Sequence, residues 1–146
     1  MESLVTSLKF ENILQYVHIP AYKLSSYPKG EDSSEVKVDG RSDFKLIFDL
    51  LRTKGVSKII RVIVEDDNKT PHRDEIIVEL CQDFGIEEWD WKKTDLCSEV
   101  IRKAAVNAEK VFLYSSGNNA VLRSWSGTDG LNQLPKVRFL VARLAL

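Results

Sequence analysis

With 146 residues, 43% of them hydrophobic, this chain is long enough to enclose one core and short enough to be one domain. Its 21 Lys and Arg against 22 Asp and Glu leave a formal net charge of −1, which gives no long-range pull toward nucleic acid or an anionic membrane. No apolar run approaches the ~20 residues that span a bilayer, and the start, MESLVTSLKFENILQ, has neither the basic-then-apolar order of a secretory signal nor the acid-poor composition of a transit peptide.

In chain order, the first predicted element is a strand over residues 12–19 (NILQYVHI), ended by Pro20. Residues 20–40 follow with no helical or strand period. Ser25, Ser26, Ser33, Ser34, two prolines and a charged run between Lys29 and Lys37 predict a flexible loop. A first helix is expected over 43–54, with Ser42 as N-cap and Phe44, Ile47, Phe48 and Leu51 on one face; Gly55 would close it in the left-handed conformation. The apolar run 59–64, broken only by Arg61, reads as a strand covered on both faces. A second helix over 73–84 carries Asp74 and Glu75 where its dipole favours acids, and ends at Gly85.

Residues 86–91 (IEEWDW) form the third predicted strand. Neighbours in a strand point to opposite faces, so Trp89 and Trp91 share one face and Asp90 takes the other. Packing beneath the helices is the plainer role for the tryptophans, an aromatic binding surface the sharper one. A third helix is expected from a cap at Thr94 or Asp95 to Ala105, and a fourth strand over 111–114. Asn118 or Asn119 would cap a fourth helix bearing Val121 and Trp125, and Gly127, Gly130 and Pro135 lead to a last strand over 137–144. Cys81 and Cys97 both fall on apolar stripes and read as core thiols. Two cysteines and two histidines without ligand spacing suggest no metal site, and no cofactor is expected.

Four of the strand-like runs begin at Lys58, Ile86, Lys110 and Lys136, which are 28, 24 and 26 residues apart. This alternation predicts an α/β fold: a mainly parallel, five-stranded sheet with crossover helices. An open sheet with helices on both faces is the preferred layout. The alternative is a leucine-rich-repeat-like arc with helices on one face only. The unit length suits such an arc, but the strands lack a repeated Leu-x-x-Leu-x-Leu ladder and its Asn.

In open α/β sheets ligands bind beyond the carboxyl ends of the strands. Those ends gather the candidate binding residues Asp66, Asp67, His72, Asp90, Ser115, Ser116, Asn118 and Asn119. Each also has a plainer reading: a solvated acidic loop at Glu65-Asp66-Asp67, a surface or capping His72, a turn and helix cap at Gly117-Asn118-Asn119. Ser115-Ser116-Gly117 sits where a nucleophile elbow would, yet Leu113 stands where Gly-x-Ser-x-Gly begins. No phosphate-binding loop or dinucleotide fingerprint is present.

Two long segments carry a resemblance. EDDNKTPHRDEIIVELCQDFGIEEWDWKKTDLCSEVI and VFLYSSGNNAVLRSWSGTDGLNQLPKV, and more weakly QYVHIP, resemble a region upstream of the catalytic domain in a group of intracellular fungal subtilisin-like serine proteases. The likeness covers residues 44–137. In those proteins, the resemblance implies, protease chemistry belongs to a separate downstream domain. Its His-Gly-Thr and Gly-Thr-Ser-Met settings do not occur here, so no catalytic residue transfers. The expectation is a non-catalytic accessory or regulatory domain, cytoplasmic. Its partner would be a protein, possibly a protease domain of the same longer chain, with neither nucleic acid nor membrane involved. The alternative is a small stand-alone hydrolase or phosphoryl-transfer enzyme using the strand-end cluster.

Overall fold

A computed structural model describes residues 9–21 and 42–144. Within them five strands alternate with four helices: β1 (Ile13–Ile19), α1 (Lys45–Thr53), β2 (Lys58–Val64), α2 (Asp74–Cys81), β3 (Glu88–Trp91), α3 (Ser98–Ala104), β4 (Lys110–Ser115), α4 (Asn119–Ser126) and, after a 3₁₀ turn at Leu131–Gln133, β5 (Phe139–Leu144). Apart from Pro20 and Ala21, the loop expected over 20–40 lies outside the described residues.

All strand pairs are parallel and the spatial order is β1-β2-β3-β4-β5, so the chain forms the open parallel sheet with crossover helices that its alternation predicts. The placement of the helices departs from the preferred layout. Every crossover steps one strand in the same direction, and right-handed crossovers that never reverse put every helix on the same side. Burial agrees. Val62, Val64, Trp89, Trp91, Val111 and Leu113 share one core with Phe48, Ile77, Leu80, Ile101 and Trp125 from the helices, whereas Phe112, buried on the opposite face, lies outside that core. Among the described residues the second face carries no helix, so the sheet is open with its helices on one face.

The ladder absent as leucines is present as other apolar residues. Ile59, Val62 and Val64 in β2 are followed by Ile86, Trp89 and Trp91 around β3, and by Ala108, Val111 and Leu113 around β4, all buried in the core. Leu14, Val17 and Ile19 stand beside the β2 set, and the register carries the pattern on to Leu140 and Ala142 in β5. Each set has the spacing apolar-x-x-apolar-x-apolar, so the sheet is backed by three rows that run from strand to strand. The spacing of three before the strict alternation breaks the simple period of two within each strand.

Local chemistry sets the element ends. Gly55, at φ 87°, closes α1: its N–H donates to the Arg52 carbonyl and that of Val56 to Leu51, while Leu51 and Val56 are both buried. At the other end Phe44, not Ser42, is the N-cap residue and no side chain caps the helix; the Ser42 carbonyl accepts from Lys45 N–H instead. The third helix starts later than expected, because Asp95 adopts φ 60° and Cys97, not Thr94 or Asp95, precedes α3. Cys97 is therefore exposed, while Cys81 is fully buried and its thiol is pushed up to about 12, by burial foremost. Asn118 caps α4 as expected, its side-chain oxygen accepting from Ala120 N–H at 2.9 Å.

Candidate functional site

The loop after β2 bends inward because Asp66 has donors waiting for it. Its side chain is fully buried and accepts from the His72 backbone N–H (3.0 Å), His72 Nδ1 (3.0 Å) and Trp91 Nε1 (2.8 Å). Burial by itself would raise the Asp66 carboxyl, but the hydrogen bonds from His72 and Trp91, with the attraction of the imidazole, hold it below its ordinary value. His72 is wholly buried, stacked on Phe44 at 4.5 Å between ring centroids and edge-on to Trp91 at 5.8 Å. Its Nε2 meets the Phe44 N–H at 3.4 Å and Asp43 Oδ1 at 3.2 Å. With Nδ1–H directed at Asp66, a neutral ring accepts from Phe44, whereas an imidazolium donates to both carboxylates.

Asp66 and His72 are thus brought together, but as a packed joint between the β2 loop, β3 and the start of α1. Both ring nitrogens are already committed, so a proton relay through His72 would have to break one of these bonds. The remaining candidates do not converge on it. Asp67 accepts from Lys69 N–H and Thr70 Oγ1 within its own loop. Ser115 Oγ accepts from Gly117 N–H, and Ser116 bonds to Asp95 through both its N–H and its hydroxyl. Asn118 is spent as a helix cap, and Asn119 is exposed at the first position of α4.

Asp90 points away from all of these, as the alternation around Trp89 and Trp91 requires. The two tryptophans are fully buried beneath the helices with centroids 6.5 Å apart, while Asp90 lies on the uncovered face and accepts from Tyr114 Oη at 2.6 Å. Desolvation, and then the Asp90 hydrogen bond and charge, push the Tyr114 phenol up.

That uncovered face is the surface sequence reading missed. Arg61 stacks over Tyr16 at 5.6 Å and pairs with Glu88 at 3.5 Å; Lys110 and Arg143 lie over Phe112 at 5.1 and 5.7 Å. Cations drawn over ring faces, with acids interleaved, make a flat field of aromatic and charged groups. The residues Tyr16, Arg61, Glu88, Phe112 and Arg143 come one from each of the five strands, so only the register assembles them. Two clefts lie away from the expected edge. One of about 400 Å³ runs between α2 and α3, lined by Asp74, Glu75, Val78, Glu99, Val100 and Lys103. Another, of about 340 Å³, opens at the amino ends of the strands beside Lys58, Glu87, Glu109 and Lys136.

Among the described residues no group of three or more His, Cys, Asp or Glu side chains is arranged to hold a metal ion, and no helix is long and apolar enough to cross a membrane. Comparison of the chain with protein-family models, curated proteins and solved structures finds no match.

Proposed function

We propose that this chain is a non-catalytic accessory domain that binds protein through the uncovered face of its sheet. The observation that carries the reading is the one-faced helix layer: it leaves Tyr16, Arg61, Glu88, Tyr114 and Arg143 side by side on a rigid sheet, while the strand-end acids and hydroxyls are occupied by internal bonds. Rigid strands are good platforms for recognition, and aromatic and Arg side chains are the usual anchors of protein interfaces. The resemblance supplies the partner, a subtilisin-like protease domain in the same cytoplasmic chain or a separate one. Titrating the purified domain into such a protease domain in a calorimeter should give saturable heat and an altered peptidase rate. Arg61→Glu should weaken binding by roughly tenfold or more, as loss of an interface anchor does. No heat and no rate change at high concentration would reject the reading.

A second reading, a small hydrolase or phosphoryl-transfer enzyme at the strand ends, draws on the contact between His72 and Asp66. It requires ester or phosphate turnover that Asp66→Asn or Ser116→Ala abolishes.

A further inference from the structure

β5 is the last strand of the sheet, and among the described residues its outer edge has no neighbour. Edge strands of soluble proteins are usually blunted by charge, proline or a covering element. β5 reads FLVARL, with Arg143 as its single charge, and leaves Phe139 61%, Leu140 47% and Leu144 71% exposed. The rows behind the sheet also run out to this edge: Val111 continues into Leu140 and Leu113 into Ala142. The edge is apolar on both faces of the strand, with Leu140 on the helix side and Phe139 on the other.

We propose that β5 pairs antiparallel with β5 of a second copy, about a two-fold axis normal to the sheet and midway between the two Val141 residues, so that two sheets become one. Such an axis keeps helix-facing residues opposite helix-facing residues. Leu140 then meets the partner's Ala142, Val141 meets the partner's Val141, and Phe139 meets the partner's Arg143. The charges on the strand fit this pairing with itself. Arg138 falls opposite the partner's Leu144, and Arg143, already over Phe112, gains the partner's Phe139 as a second ring. No like charges face each other, and the interface is isologous and closed, which stops growth at two copies. The unpaired N–H and C=O groups of the edge are satisfied in the same step.

Sedimentation velocity on the full chain, from low micromolar to millimolar concentration, should record a concentration-dependent monomer–dimer equilibrium. Val141→Lys and Val141→Asp each place two like charges across the axis, and each should weaken self-association by roughly tenfold or more with an unchanged far-UV spectrum. Mixed in equal amounts, the two variants should dimerise again, because Lys then faces Asp. A wild-type chain that stays monomeric throughout overturns the proposal. So does a Val141→Asp variant that dimerises as well as wild type, or a mixture that remains monomeric.

Discussion

Asp66 is where the polar chemistry of this chain is most concentrated, and its role is measurable through pH. The carboxylate is fully buried and bonded to His72 and Trp91. Its folded pKa lies below the reference of 3.8, so the stability it contributes is complete above that reference and is lost as pH falls through the lowered value. Asp66→Asn keeps the shape but turns an amide N–H₂ toward donors that already need an acceptor. The expected cost at neutral pH is about 3 kcal/mol, the upper end of the range for hydrogen bonds to a buried charged group. In urea titrations repeated between neutral and acid pH, wild type and variant should converge as pH falls. A gap that stays constant would mean that the Asp66 charge contributes nothing.

At the scale of elements, what joins the last helix to the last strand is a crowded turn, not a long-range contact. Gly130 is buried, and a Cβ there would lie 2.5 Å from the carbonyl oxygens of both Ser124 and Trp125 and 2.9 Å from that of Gly127. Those oxygens belong to backbone and cannot rotate away. Gly130→Ala should therefore push the 3₁₀ turn off α4, strain the Trp125 indole bond to the Leu96 carbonyl (2.7 Å), and cost about 1–3 kcal/mol. Thermal unfolding followed by tryptophan fluorescence would register this as a fall in Tm of several degrees, and an unchanged Tm would refute it. The φ of Gly130 is an ordinary −87°, so the constraint is closeness rather than handedness. Gly127, Gly130 and Pro135 read in sequence only as punctuation, because a turn signal does not say which carbonyls will crowd it.

At the scale of the whole molecule, stability should grade across the sheet. β2 and β3 have strands on both sides, and their inward residues Val62, Val64, Trp89 and Trp91 are wholly buried, whereas β5 has one partner strand and is mostly exposed. Hydrogen exchange read by mass spectrometry should find β2 and β3 slowest and β5 among the fastest in dilute solution, with protection of β5 rising as concentration increases. Equal protection of all five strands would contradict this gradient.

Much of the fold was legible in the chain. The regular return of apolar runs, 24 to 28 residues apart, fixed strand-helix alternation and hence a parallel sheet; Gly55 and Asn118 marked helix ends correctly; and the alternation of Trp89, Asp90 and Trp91 placed each on its proper face. These are local matters, decided by backbone periodicity and by groups a few residues apart. Tertiary structure alone decided the rest. That the helices gather on one face follows from a strand order that never reverses, and strand order leaves no mark in a linear pattern. His72 meets Asp43 and Trp91, Ser116 meets Asp95, and Arg61 meets Tyr16, because register and crossover handedness bring together residues 19 to 45 positions apart. The side-chain types at these positions would be the same whether they met or not.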